Sequence, residues 1–178
     1  MRFPFKQSLE VGKMGESVIA SWLRQRGNFV LPVYETTEEF KGPRLFTPAG
    51  YDKNELIAPD MLVFRPHQKE PSWIEAKHKE TFTWHRKSRN WQTGIDRNHW
   101  LHYLRIQESV SWEIWLLFLH RGGRDKDTRE QSPSGLFGEK IDKLKFKIHH
   151  TCPPYEMGSG GMVFWNWQDL KQLATMED

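Results

Sequence analysis

The stretch at residues 112–119, WEIWLLFL, constrains the fold of this chain more than any other. It is almost wholly apolar, with none of the alternation that would leave one face in water, and it is too short to cross a membrane as a helix. It therefore reads as a central strand covered on both sides. Such a strand needs a sheet around it and a layer of structure on each face. The expected fold is a single α/β domain, residues 1–178, with a central mixed β-sheet flanked by helices. A chain of 178 residues suits one domain with a core of its own, and it contains no internal repeat or low-complexity segment.

The remaining elements follow from periodicity and punctuation. Residues 11–26 carry a helical stripe through Val11, Gly15, Val18, Ile19, Trp22 and Leu23, with Gly27 placed as a helix C-terminal glycine. Residues 29–34 predict the first strand. No period is evident over 35–59, where Lys41-Gly42-Pro43-Arg44 and Ala49-Gly50-Tyr51-Asp52 are turn-rich. Residues 60–64 and 72–77 predict two strands of a hairpin, joined by a turn bracketed by Pro66 and Pro71. Residues 96–109 predict a helix capped by Asp96. Residues 121–134 read as a mobile hydrophilic loop, 136–149 as one or two strands, 162–165 as a short strand and 168–175 as a closing helix.

The hairpin carries the chemistry. Glu75 and Lys77 lie two apart in a strand, so they project from one face about 7 Å apart. Asp60, at the start of the preceding strand, returns beside them if the register sets it opposite residue 75 or 77, because a slip by one sends the carboxylates to opposite faces. Two carboxylates are the oxygen ligands that a hard cation such as Mg2+ takes, together with waters and substrate phosphates, and the carbonyl of Ala76 offers a third oxygen. Mn2+ is the expected substitute. A metal so held acidifies a water, and Lys77 would orient that water or stabilise charge on phosphate oxygens, which makes phosphodiester hydrolysis the reaction class. A solvated Glu-x-Lys pair on a strand face is the plain alternative. Against it, Trp73, Ile74 and Ala76 mark the strand as internal, where ionised groups are costly unless paired or metal-bound.

Pro59-Asp60 followed by Glu75-Ala76-Lys77 resembles the signature of the PD-(D/E)xK nucleases, the restriction-endonuclease-like superfamily that includes Holliday junction resolvase-like folds. The likeness extends to Gly15-Glu16 on the first helix and to the helix and strand after the hairpin, about two-thirds of the chain. It implies an αβββαβ core, Glu16 as a metal-associated carboxylate beside Asp60 and Glu75, DNA as substrate and a 5′-phosphate product end; a solvated carboxylate near the helix start, favoured by the macrodipole, is the other reading of Glu16. Family members often act as dimers on duplex or junction DNA, so the resemblance implies an endonuclease and admits a homodimer. The alternative is a non-catalytic nucleic-acid-binding module of the same fold.

Residues 78–92 interleave Lys79, His85, Arg86, Lys87 and Arg89 with Phe82, Trp84 and Trp91, the mixture that neutralises phosphates and stacks on bases; a solvated loop anchored by its tryptophans is the other reading. Lys41, Arg44 and Tyr51 are further candidates for a phosphate backbone, or a plain surface loop, and Asp52 is a candidate extra acid. A net charge of +3 and a pI near 9.0 favour an anionic partner without identifying one. His149, His150 and Cys152 lack the partners of a zinc site, and His99 and His102 share a helix face without an assigned role. One cysteine excludes an intramolecular disulfide and no apolar run spans a membrane, so a cytoplasmic protein is expected. Neither a phosphate-cradling Gly-Lys-Ser/Thr loop nor a serine-hydrolase elbow is present.

Overall fold

The apolar run lies inside a six-stranded mixed sheet. In the computed structural model, which describes residues 5–33, 43–125, 129–153 and 160–176 and only the backbone of 5–13, the elements run α1 (Phe5–Gln25), β1 (Phe29–Pro32), β2 (Arg44–Phe46), β3 (Glu55–Ile57), β4 (Met61–Phe64), β5 (Ser72–Lys79), β6 (Thr83–His85), β7 (Asn90–Asp96) and α2 (Arg97–Val110). There follow β8 (Ile114–His120), β9 (Gly123–Arg124), β10 (Gln131–Ser132), β11 (Gly135–Lys140), α3 (Ile141–Leu144), β12 (His150–Cys152), β13 (Met162–Asn166), a 3-10 turn (Trp167–Asp169) and β14 (Lys171–Ala174). The central sheet has the order β1-β4-β5-β8-β11-β14, with β5 and β8 parallel and every other neighbour antiparallel.

Helix α1 covers one face. Ile19 and Leu23 pack on Met61, Val63, Ile74, Ala76 and Leu117, and each such side chain contributes about 1.5–3 kcal/mol on burial. The helix comes close because Gly15 has no side chain: a Cβ there would sit 2.2 Å from His78 Cβ. Gly27, at φ +79°, ends it in a left-handed turn, with Asn28 N bonded to Leu23 O and Gly27 N to Arg24 O.

The opposite face is covered by α2 and by a second sheet, β12-β13-β7-β6, where the sequence predicts helices alone. Trp73, Leu116, Phe118 and Phe137 meet Tyr103 and Trp165 in the larger core. Asp96 caps α2 by accepting from Asn98 N at 2.7 Å, as expected.

Three expectations are corrected. Residues 78–92 are not a loop: β5 runs on to Lys79, and β6 and β7 form a hairpin whose Phe82 and Trp91 are buried, so those two rings serve the core and are withdrawn from any stacking surface. The 121–134 segment contains the β9–β10 pair. Residues 168–175 form the 3-10 turn and β14 instead of a helix, because Leu173 and Ala174 complete the apolar layer beside Leu136 while the strand backbone pairs the open edge of β11. Tyr34, Lys41 and Gly42 lie outside the described residues, as does the side chain of Val11.

Candidate active site

β4 and β5 pair as Met61↔Ile74 and Leu62↔Trp73, and one more step of that register sets Asp60 beside Glu75. Ladder pairing with β4 stops there, so the edge of β5 at Ala76 is left for the Asp60 carboxylate, whose Oδ2 accepts from Ala76 N at 2.8 Å. A strand residue sends its N–H and C=O out on the same edge, so the Ala76 carbonyl also emerges on the Asp60 side.

Glu75 points into the α2 layer and is 1% exposed. Tyr103 OH donates to its Oε2 at 2.6 Å, and His99 Nδ1 lies 3.1 Å from that hydroxyl. Its Oε1 is ion-paired with Lys77 Nζ at 2.5 Å, and His99 Nδ1 lies 3.9 Å from it. Burial pushes the Glu75 carboxyl up, but the Lys77 charge and bonds from His99, Lys77 and Tyr103 outweigh it and hold the pKa down at about 2. Burial likewise opposes the Lys77 charge; Glu75, Asp60 and Glu16 overcome it and raise the Lys77 pKa above its ordinary value. Glu75 is therefore an anion and Lys77 a cation at neutral pH.

Asp60 behaves oppositely. Burial and then the like charge of Glu75, with a smaller contribution from Glu16, raise its pKa well above the usual carboxylate range against the pull of Lys77 and the Ala76 N–H. Glu16 and Asp60 line one cleft of about 390 Å³ with Ser17, Arg24 and Pro32, so the Gly15 contact brings the helix carboxylate to the strand carboxylate.

Among the described residues no three acidic, His or Cys side chains form a ready-made metal cage. Mg2+ does not need one, since it is commonly held by one or two carboxylates with waters and substrate phosphates. Two buried carboxylates that repel each other, with the ionisation of Asp60 opposed by burial and by Glu75 and Glu16, are the surroundings a cation would relieve, so the residues fit such an ion.

The other sequence candidates are distributed differently. Lys79 shares the face of Glu75 and Lys77, but its Nζ donates to Gly94 O at 2.6 Å, and burial together with the Lys77 charge pushes its pKa down to about 8. Arg44 pairs with Glu55 across β2 and β3, and Asp52 pairs with Arg105. Trp84 packs edge-on against Trp91, while His85, Arg86, Lys87 and Arg89 lie at the tip of the β6–β7 hairpin. His102 accepts from Ile57 N at 2.8 Å and so braces β3. Tyr103 is the site residue that the sequence did not single out; its signal is a phenol four residues after His99, on the same side of α2.

No protein-family model matches the chain, and no curated protein matches it. Among solved structures, Hjc of Archaeoglobus fulgidus, a Holliday junction resolvase from an archaeal hyperthermophile, is similar to this chain at 9% identity and a TM-score of 0.49, over 89% of this chain and 90% of that one.

Proposed function

We propose that the chain is a Mg2+-dependent deoxyribonuclease, acting as an endonuclease that hydrolyses DNA phosphodiester bonds. The observation that carries this reading is the meeting of Asp60, Glu75 and Lys77 at one edge of β5, with Glu75 buried, ionised and hydrogen-bonded. Asp60, Glu75 and the Ala76 carbonyl are the groups that would hold the ion, and Glu16 would support it or its waters. The chemistry such an ion supplies when bound is neutralisation of phosphate charge and acidification of a water.

The protein's own groups do the rest. Tyr103 and Lys77 keep Glu75 in one orientation and in its anionic form. Lys77, itself protonated, donates to the attacking water or to a phosphate oxygen and steadies charge that builds there. A protonated amine is a poor base, so Lys77 serves as a donor and an electrostatic partner. Clustered carboxylates alone would repel a phosphodiester, and this is why the lysine is needed beside them.

The test is cleavage of plasmid, single-stranded and four-way-junction DNA with Mg2+, with Mn2+ and with EDTA. Metal-dependent nicking that disappears in Glu75→Ala and in Lys77→Ala is expected. DNA binding that persists in EDTA, with no cutting under any metal, would instead establish a binding module without turnover.

A further inference from the structure

A second surface, made by none of the carboxylate-cluster residues, has the composition of a nucleic-acid contact. The turn after α3, residues 145–148, reads Lys-Phe-Lys-Ile and leaves Phe146 83% exposed. The turn is held at both ends: Phe146 N bonds to Lys143 O, Lys147 N to Leu144 O at 3.0 Å, and His149 N to Phe164 O at 2.9 Å. Lys145 Nζ stands 5.0 Å over the Phe146 ring.

The β6–β7 tip lies against His149 and His150, which follow this turn. The His85 ring centroid is 5.3 Å from that of His149 and 4.9 Å from that of His150. His85 also grips the tip itself, its Nδ1 lying 2.7 Å from the Ser88 hydroxyl. Arg86, Lys87 and Arg89 are exposed there. Among the described residues, the acidic groups alongside are Asp142 on α3 and Asp169, which lies 3.9 Å from Lys147, so cations outnumber anions there.

A large aromatic ring left in water gains nothing from folding, unlike the buried rings of this chain. With the Lys145 ammonium over it and Lys147 next in the chain, it matches what holds nucleic acid: cations on phosphates and a planar face on a base or sugar. We infer that the 145–148 turn and the β6–β7 tip form an accessory nucleic-acid-binding surface in which Phe146 stacks on a base and Lys145 and Lys147 hold the flanking phosphates. This rests on the proposed action on DNA and adds to it a place of contact outside the carboxylate cluster.

The experiment is fluorescence anisotropy of labelled duplex and single-stranded DNA without added Mg2+, over a range of salt, with sedimentation on phosphatidylserine-containing vesicles alongside. Phe146→Ala should weaken DNA binding roughly tenfold, the range expected for losing one base stack. The double variant Lys145→Ala/Lys147→Ala should lower the magnitude of the slope of log affinity on log salt by about 1.8 for duplex DNA. All these side chains are exposed, so thermal melting should stay at the wild-type value and separate a lost contact from a lost fold. Wild-type protein that binds DNA, with both variants matching it in affinity and slope, overturns the surface and leaves the proposed function standing. Wild-type protein that binds vesicles but not DNA, through Phe146, overturns it in favour of a lipid partner. Wild-type protein that binds no DNA removes the functional reading and this surface with it.

Discussion

The Tyr103 hydroxyl donates a 2.6 Å hydrogen bond to Glu75 Oε2, so a residue of α2 sets the orientation of a carboxylate on β5. Both side chains are buried, and the bond ends on a charge. Tyr103→Phe keeps the ring and deletes only the donor, leaving the buried Glu75 Oε2 without its partner. A cost of about 1.5–3 kcal/mol in unfolding free energy is expected, measured by urea denaturation. Cleavage and Mg2+ affinity should fall about 10- to 100-fold, the usual loss when a ligand's supporting hydrogen bond is removed.

Lys77 neutralises Glu75 from 2.5 Å. Lys77→Met strands a buried carboxylate and should destabilise the fold by about 3 kcal/mol. Adding Glu75→Gln removes the stranded charge, so the double variant should recover most of that stability without recovering cleavage. Equal melting temperatures for the single and double variants would show that the pair is not coupled.

Asp60 is the strained member of the cluster. Its pKa in the fold is raised above the ordinary 3.8, so its stabilising contribution is full below that value and is lost as pH rises through the folded pKa. Above pH 3.8 the carboxyl therefore costs the fold stability. Asp60→Asn keeps an acceptor for Ala76 N and removes the charge, so the melting temperature at pH 7 should rise while cleavage is abolished. A fall in melting temperature would show that attraction to Lys77 outweighs burial and like-charge repulsion.

His120 gives the fold an acid limit independent of the carboxylates. It is fully buried, stacked 3.6 Å from the Phe82 ring centroid, and neither ring nitrogen has a hydrogen bond of ordinary geometry among the described residues, the Thr81 backbone being a weaker electrostatic partner. Burial, with the Lys79 charge, pushes its pKa from 6.5 down to about 3. The unfolded chain therefore takes up a proton that the folded one refuses. His120 costs nothing above pH 6.5 and destabilises progressively as pH falls from there towards about 3, by at most about 1.4 kcal/mol per unit. His120→Phe should match the wild type at pH 7 and lose less stability on going to pH 4.5, as read from denaturation at both values.

Much of the architecture was legible in the chain because it depends on local pattern. WEIWLLFL announces a strand covered on both faces, Asp96 announces a helix start, and the hairpin between residues 60 and 77 follows from apolar runs separated by two prolines. Asp60 beside Glu75 was legible for the same reason, since a two-residue side-chain period leaves only alternate registers for the carboxylates to share a site.

What tertiary structure alone decided concerns groups brought together from distant parts of the chain. The second sheet over the core, the edge strand β14 in place of a closing helix, and the burial of Trp91 depend on which backbone edges and apolar faces remain uncovered after the central strands assemble. The Tyr103 hydroxyl reaches Glu75 across 28 positions, and Gly15 brings Glu16 towards Asp60 only because α1 lies directly on His78. Residue order specifies the strands and their alternation; docking between layers, driven by apolar burial and by pairing of buried polar groups, selects the side chains that surround the carboxylates.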